Sequence, residues 1–476
     1  MKKWFLFTIL CGWLFNLPIY PQSTYDRYFT DNALRVDYYH FGNKYEDYAT
    51  LDQLYEISPW AGSRQNLLDT LNLGDYMVQV FDVQSNRLIF SRGFSSLFRE
   101  WQTTEEANSG VQKTIHETLI IPFPRKEIRL QLLKRDSLNS MSQIFWETTI
   151  NPDSWKINRE ERAIGVEVTT LTLHGQPAES IDLALIAEGY SDQEKAKFLS
   201  DCKRMIDHLF QYQPFTRYRN MFNIYALFKP SAQSGTDDPA RGVFKNTILN
   251  TSFNTFGSQR YVMTFDTRTL HDMASAVPYD ALCILVNEHQ YGGGGIYNFY
   301  ATTTVDDPWS PFVFVHEFGH SFAGLGDEYY TSQVAYTDFH HKGEEPWQPN
   351  ISAHPSGEGL KWKHLVDPDI PLPTPWHQEV YDSLVENWYR LRKDLTQKGA
   401  SEETVYQAEL AHVNQLKQFF NSLPYGNKVG AFEGAGYQGK GLYRPAVNCI
   451  MFSKAAEKFD PVCQKAIEKV IRFLTK

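Results

Sequence analysis

Two histidines and a glutamate in the second half of the chain have a spacing that suits metal-dependent hydrolysis. They form the motif His316-Glu317-x-x-His320. Residues four apart lie on one face of a helix, so both imidazoles can bind the same metal ion. A catalytic zinc site also needs a carboxylate base and an open position for water. The motif therefore predicts a Zn2+ site with His316 and His320 as ligands and Glu317 as the catalytic base.

The residues that follow the motif offer a third ligand. Gly324 and Gly326 can end the helix and turn the chain, and Asp327 and Glu328 come directly afterwards. We expect Asp327 to be the third metal ligand, because the backbone holds a short carboxylate more rigidly, with Glu328 as the alternative. A buried helix with two satisfied histidines is the other interpretation. It explains neither the glutamate inside the motif nor the carboxylates after the glycines.

The residues around the motif predict the helix that carries it. Ser310 is expected to be the N-cap, and Pro311 the first helical residue. Apolar residues recur at helical spacing and predict a buried face: Phe312, Val315, Phe318 and Phe322.

The preceding segments alternate between strand and helix patterns, which is typical of an α+β fold. Residues Asp182 to Glu188 read as a buried strand, and Ser191 and Glu194 form a capping box for a helix to about Phe210. Further strands are predicted at Met221–Phe228, Ala281–Val286 and Ile296–Thr303.

A glycine run, Gly292 to Gly295, lacks the ending of a phosphate-binding loop. We interpret it as a flexible approach to an edge strand. Residues Gly294 to Tyr300 are predicted to form that strand and to pair with an extended substrate.

The C-terminal region adds further candidates. Met451 is predicted to lie in a turn beneath the metal, where a soft, unbranched side chain packs closely. Tyr437 and Tyr443 are candidates to donate a hydrogen bond to a developing oxyanion, and a packed core position is the alternative for each. Asp460 and Pro461 are expected to open a final helix.

These motifs together resemble the IgA-peptidase family of metzincin-like zinc metallopeptidases, over roughly residues 180 to 476. The matching segments are His316-Glu317-x-x-His320, Gly324-Leu-Gly-Asp327-Glu328-Tyr329, Glu433-Gly-Ala-Gly-Tyr437 and Tyr443-Arg444-Pro445 with Cys449-Ile-Met451. The resemblance implies a metzincin-like catalytic domain after a separate β-rich domain. The usual metzincin pattern has His as third ligand. Here one residue is inserted, and Asp327 keeps the interval from Gly324.

The chain divides into three predicted parts. Residues 1–23 have the positive start and apolar stretch of a signal peptide. Residues 24–155 contain short strand patterns and predict an all-β, sandwich-like N-terminal domain without a catalytic constellation. Residues 156–476 are the predicted zinc peptidase domain, with a helical elaboration at about 340–425. We interpret the cysteines after the signal as small buried residues, with a Cys449–Cys463 bridge as an option.

The composition limits the function. The formal net charge of −10 and the lack of a basic stripe argue against a nucleic-acid partner. We expect no transmembrane span in the mature chain, and a location outside the cell, in the periplasm or at the cell surface. The predicted function is a secreted zinc-dependent endopeptidase on protein or peptide substrates, with immunoglobulin A as one candidate. The alternatives are a surface-binding protein with a structural zinc, and a zinc amidase or deacetylase on cell-wall or glycan material.

Overall fold

A computed structural model describes residues 24–331, 339–340 and 343–476. The predicted signal peptide lies outside these residues. The N-terminal part contains two four-stranded sheets, with strand orders β5-β1-β2-β8 and β4-β3-β6-β7. Its elements are α1 (Thr24–Tyr28), β1 (Phe29–Gly42), β2 (Asp47–Pro59), β3 (Tyr76–Asp82), β4 (Arg87–Phe94), α2 (Leu97–Gln102), α3 (Glu105–Asn108), β5 (Lys113–Pro124), β6 (Ile128–Arg135), β7 (Met141–Ile150) and β8 (Ile157–Asn158).

Both sheets contribute side chains to one hydrophobic core, as expected of a sandwich. Val36 and Leu54 come from the first sheet, and Val78 and Leu130 from the second. Strand β8 pairs with β2 and so extends the first sheet past residue 155, where the sequence placed the boundary.

The second part is built on a six-stranded sheet with the order β13-β14-β12-β10-β11-β9. Its four inner strands are parallel, and the edge strands β9 and β13 are antiparallel to them. The elements of this region are β9 (Glu167–Thr172), β10 (Ile181–Glu188), α4 (Lys195–Leu209), α5 (Phe215–Tyr218), β11 (Phe222–Phe228), α6 (Thr267–Ala274), β12 (Ala281–Val286), β13 (Gly293–Gly295), β14 (Ala301–Thr304) and α7 (Ser310–Ala323).

The central strand β10 is buried on both faces, and alternate residues enter different cores. Leu183 and Leu185 pack with α4 and α7 on one side. Ala184 and Ile186 face a second core that contains α6. A parallel strand covered on both faces reads as a continuous apolar run, which is why the sequence predicted it well.

The N-terminal part shares this second core. Leu97, Phe98 and Trp101 of α2 pack into the same cluster as Ala184 and Ile186. The separate domain that the sequence predicted therefore lacks a fully separate core, because α2 completes the core beneath the six-stranded sheet.

The helix that carries the histidine motif, α7, begins one residue earlier than predicted. Trp309 is the N-cap, and Ser310 is already helical. Gly324 ends the helix in the left-handed conformation at φ 61°, as its position predicts.

The glycine run forms a shorter strand than predicted. Strand β13 covers only Gly293–Gly295, and the N–H of Ile296 donates to the carbonyl of Tyr300, which closes a turn. The outer edge of β13 is partly covered, because the N–H of Gly293 donates to Arg260 O and its carbonyl accepts from Val262. The predicted strand from Gly294 to Tyr300 is therefore wrong in its extent, and the pairing of this edge with a substrate stays a prediction.

The C-terminal elements complete the fold around α7. They are α8 (Gln378–Gln397), α9 (Glu402–Ser422), β15 (Phe432–Ala435), β16 (Gln438–Arg444) and α10 (Pro461–Leu474). Helices α8 and α9 account for the predicted helical elaboration. No helix within the described ranges has the length and apolarity needed to cross a membrane.

Candidate active site

Three side chains from α7 and the loop after it converge on one point. Nε2 of His316 lies 3.1 Å from Nε2 of His320. Oδ1 of Asp327 lies 3.0 Å from the first nitrogen and 3.2 Å from the second. The left-handed turn at Gly324 brings the chain back so that Asp327 reaches the helix face.

The two imidazoles are oriented by backbone carbonyls. Nδ1 of His316 lies 3.0 Å from Ile450 O, and Nδ1 of His320 lies 2.6 Å from Leu325 O. A carbonyl only accepts, so each Nδ1 carries the hydrogen and each Nε2 presents a lone pair in the neutral ring.

Two facing lone pairs and a carboxylate at this distance require a positive charge between them. The buried Oδ1 of Asp327 has no hydrogen-bond partner, although the two ring nitrogens lie close enough for ion pairing. Burial alone would lower the pKa of His320, but the neighbouring Asp327 carboxylate raises it to about 9, which shows how strongly the site favours positive charge. The donor set thus fits a divalent metal with nitrogen and oxygen ligands.

Glu317 lies beside these ligands without replacing any of them. One of its carboxylate oxygens lies within 4.8 Å of a ring nitrogen of each histidine. Burial raises the pKa of Glu317 above its ordinary value, and His316 and His320 oppose the rise. A carboxyl group with a raised pKa is a better proton acceptor near neutral pH.

Glycines let other elements approach α7 closely. A Cβ at Gly295 would lie 2.4 Å from the carbonyl oxygen of Glu317 and 3.0 Å from Cβ of His320. A Cβ at Gly319 would lie 3.0 Å from Sδ of Met451. The close packing of β13 against the motif therefore explains Gly295, and Met451 packs against the helix between the two histidines.

Tyr437 contacts the third candidate ligand. Its hydroxyl donates to Oδ2 of Asp327 at 2.5 Å. Nearby, Tyr329 stacks on His316, and Nη2 of Arg260 donates to the Tyr329 hydroxyl at 3.2 Å. Tyr437 thus lies at the site. Its hydroxyl donates to the Asp327 carboxylate, and its predicted role as a donor to an oxyanion stays a prediction.

Two sequence candidates lie elsewhere. Glu328 is fully buried and accepts a hydrogen bond from Asn350 at 2.9 Å. Its carboxylate groups with Cys449, Asp460 and Cys463 and not with the two histidines. Tyr443 packs beside the cluster of Leu360 and Trp362, outside the described lining of the cleft, so the structure does not bring it to the histidines.

The site opens into a cleft of about 2110 Å³. Helices α8 and α9 contribute Trp388 and Glu409 to its walls, and the N-terminal part contributes Lys44 and Arg135. A volume above the usual 300–1,000 Å³ of small-ligand pockets suits a polymeric substrate.

Sequence comparison identifies the class of protein that this fold and site define. The family model for IgA Peptidase M64 matches residues 169–471, and that for the Peptidase M64 N-terminus matches residues 24–146. The chain belongs to the IgA peptidase M64 family and is a peptidase with an α+β architecture and that family's N-terminal domain. This confirms the family resemblance seen in the sequence. No curated protein matches the chain.

Sequence reasoning missed Arg260 and Asn350 as neighbours of the site. Both lie far from the motif in sequence, in segments without a recognisable pattern, and only the fold places them there. Tyr329 directly follows the two carboxylates, so its proximity could have been inferred from the motif.

Proposed function

We propose that this peptidase is a zinc-dependent endopeptidase with a metzincin-like catalytic region. The observation that carries the proposal is the convergence of His316, His320 and Asp327 within 3.2 Å beside Glu317. Nitrogen and carboxylate ligands in this number are those of catalytic zinc sites.

A zinc ion held by His316, His320 and Asp327 would polarise the scissile carbonyl and make water more acidic. Glu317 accepts the proton of the attacking water and delivers it to the leaving amine nitrogen. Asp327 is held in place by Tyr437, which restricts the carboxylate to one orientation. Arg260 lines the cleft near Tyr329 and supplies positive charge there. Positive charge at this place favours a substrate oxygen that becomes anionic.

The metzincin-like assignment is supported by the packing beneath the motif. Met451 is fully buried, and its sulfur lies against the Gly319 position. The preceding residue, Ile450, accepts the Nδ1 hydrogen of His316 through its carbonyl. The segment around Met451 thus both packs under the helix and orients a ligand.

The substrate proposed is a folded or extended protein outside the cell. The size of the cleft and the peptidase family support a polypeptide, and the family's description makes immunoglobulin A one candidate. Secretion or exposure at the cell surface is proposed from the sequence of residues 1–23.

A surface-binding protein with a structural zinc is the less favoured function. A structural site has no need of a carboxylate beside its ligands, whereas Glu317 lies next to both histidines. An amidase or deacetylase would use the same catalytic groups. The substrate that is cleaved, and not the geometry of the site, distinguishes these enzymes from a peptidase.

The test is a substrate panel with the full-length chain. Immunoglobulin A, other extracellular proteins and peptidoglycan are incubated with the protein before chelation, after chelation and after zinc is restored. The proposal predicts cleavage of peptide bonds that is lost on chelation and regained with zinc. His316→Ala should be inactive throughout. Release of products only from peptidoglycan, or activity that persists in His316→Ala, would contradict the proposal.

A further inference from the structure

A second group of metal-ligand side chains lies behind the candidate active site. Its members are Glu328, Cys449, Asp460 and Cys463, all of them at most 1% exposed. One ligand atom from each residue lies within 4.8 Å of the others. We propose that these four side chains bind a second divalent metal ion, of the zinc class, with a structural role.

The distances within the group suit one tetrahedral ion. Sγ of Cys449 lies 3.8 Å from Sγ of Cys463, and the latter lies 3.3 Å from Oε1 of Glu328. Two sulfurs that each lie about 2.3 Å from one tetrahedral zinc are roughly 3.8 Å apart. A sulfur and an oxygen that bind the same ion are roughly 3.5 Å apart. The sulfur separation is much longer than the roughly 2.05 Å of a disulfide, and both thiols are free.

Two carboxylate oxygens in the group lack a partner. Oε2 of Glu328 and Oδ2 of Asp460 are buried, neither has a hydrogen-bond donor, and the two carboxyl groups lie close enough to repel each other when both are ionised. Burying an ionised oxygen without a partner costs free energy that a bound cation removes. This observation is independent of the composition of the cluster and points to a ligand between the side chains.

The surroundings hold the group in a ligating arrangement. The backbone N–H of Asp460 donates to Sγ of Cys449 at 3.3 Å, which favours a thiolate. Asn350 fixes the carboxylate of Glu328, and Oδ1 of Asp460 accepts from the N–H groups of Val462 and Cys463. Such contacts orient ligands in metal sites.

The donor set selects the type of metal. Two thiolates favour zinc over magnesium or calcium, which prefer oxygen ligands alone. Four protein ligands fill a tetrahedral shell and leave no open position, so the site is structural. The guanidinium of the buried Arg444 supplies further positive charge beside the acidic groups.

A metal here would connect three segments that shape the active site. Glu328 follows Asp327 directly, and its N–H donates to the carbonyl of Met451 at 2.9 Å. Cys449 lies just before Met451, and Cys463 is in the first turn of α10. The proposed ion therefore fixes the Asp327 segment and the Met451 turn to the final helix, and it does so whether or not the catalytic proposal is correct.

The test uses cobalt, because only a thiolate site gives Co2+ an intense charge-transfer band in the near ultraviolet. The full-length chain is unfolded with chelator and refolded with Co2+, and its metal content and absorption are measured. The matched variants are His316→Ala with His320→Ala, which removes the catalytic ligands, and Cys449→Ser, which removes one thiolate. The intact mass of the protein purified without reductant reports any disulfide.

We expect two metal equivalents and the thiolate band in the wild type. The double histidine variant should keep the band and lose one equivalent, and Cys449→Ser should lose or markedly weaken the band. If Cys449→Ser does not fold, the double histidine variant alone decides the matter. A wild type without the band, a band that disappears with the histidines, or an intact mass lower by two hydrogens for Cys449–Cys463 would overturn the proposal.

Discussion

The hydroxyl of Tyr437 donates a hydrogen bond to Oδ2 of Asp327, at 2.5 Å, across the loop that returns from the histidine helix. Tyr437 has a left-handed backbone at φ 66°, and its N–H donates to the carbonyl of Tyr329 at 3.0 Å. A non-glycine residue in this conformation costs about 1–2 kcal/mol, which the surrounding contacts must offset. The β15–β16 turn is thus fixed to the Asp327 segment through both backbone and side chain.

Tyr437→Phe should therefore weaken metal binding or activity by about 10–100-fold, because Asp327 loses the partner that orients it. The measurement is zinc affinity by competition with a chelating dye, alongside peptide turnover. Tyr443→Phe is the matched control, since Tyr443 packs away from the cleft and should leave both values near the wild type. Equal effects of the two variants would show that Tyr437 does not orient the metal ligand Asp327.

Asp327→Asn should lower the metal content by one equivalent and abolish turnover, because the carboxylate is the proposed third ligand. The effect on affinity should exceed that of Tyr437→Phe, since a direct ligand is lost. Asp306→Asn is the control, because that carboxylate lines the same cleft but pairs with Lys197 at 3.0 Å. Elemental analysis of the purified variants gives the answer, and full metal content in Asp327→Asn would reject the assignment.

Gly295→Ala should destabilise the fold by about 1–3 kcal/mol and impair activity, because the added Cβ meets the Glu317 carbonyl at 2.4 Å. The shift this forces falls on the backbone between the two histidines. Gly439→Ala is the control, since its nearest side-chain atom lies at an ordinary 3.5 Å. Urea unfolding of both variants measures the difference, and equal stability would show that β13 can move freely away from α7.

Much of the scaffold could be predicted from local patterns. The apolar run of β10, the capping box before α4 and the glycine after α7 each have one dominant local cause. The strand predicted at Ile296–Thr303 is wrong at its start, because Asn298 adopts φ 52° and the chain turns there. The placement of Arg260 and Asn350 depends on tertiary contacts, for which a single sequence carries no periodic signal.

The metal-free chain should lose stability as pH rises. Asp327 raises the folded pKa of His320 to about 9, against an ordinary value of 6.5. A raised folded pKa stabilises the fold fully below pH 6.5, and that contribution is lost as pH rises through 9. The urea midpoint of the chelated protein should therefore be lower at pH 9 than at pH 6.5. The fall should largely disappear in Asp327→Asn, and an unchanged or rising midpoint in the chelated wild type would contradict the shift.

In the proposed mechanism, Glu317 activates water at a site whose ligands are His316, His320 and Asp327. The most direct measurement compares Glu317→Gln with the wild type in turnover of a cleaved peptide and in metal content. Glu403→Gln, an exposed residue of the cleft lining, is the control. We expect Glu317→Gln to keep its metal and to lose roughly 10²–10⁴-fold or more in kcat, because its proton acceptor is gone. Wild-type turnover in the metal-loaded Glu317→Gln variant would contradict the mechanism.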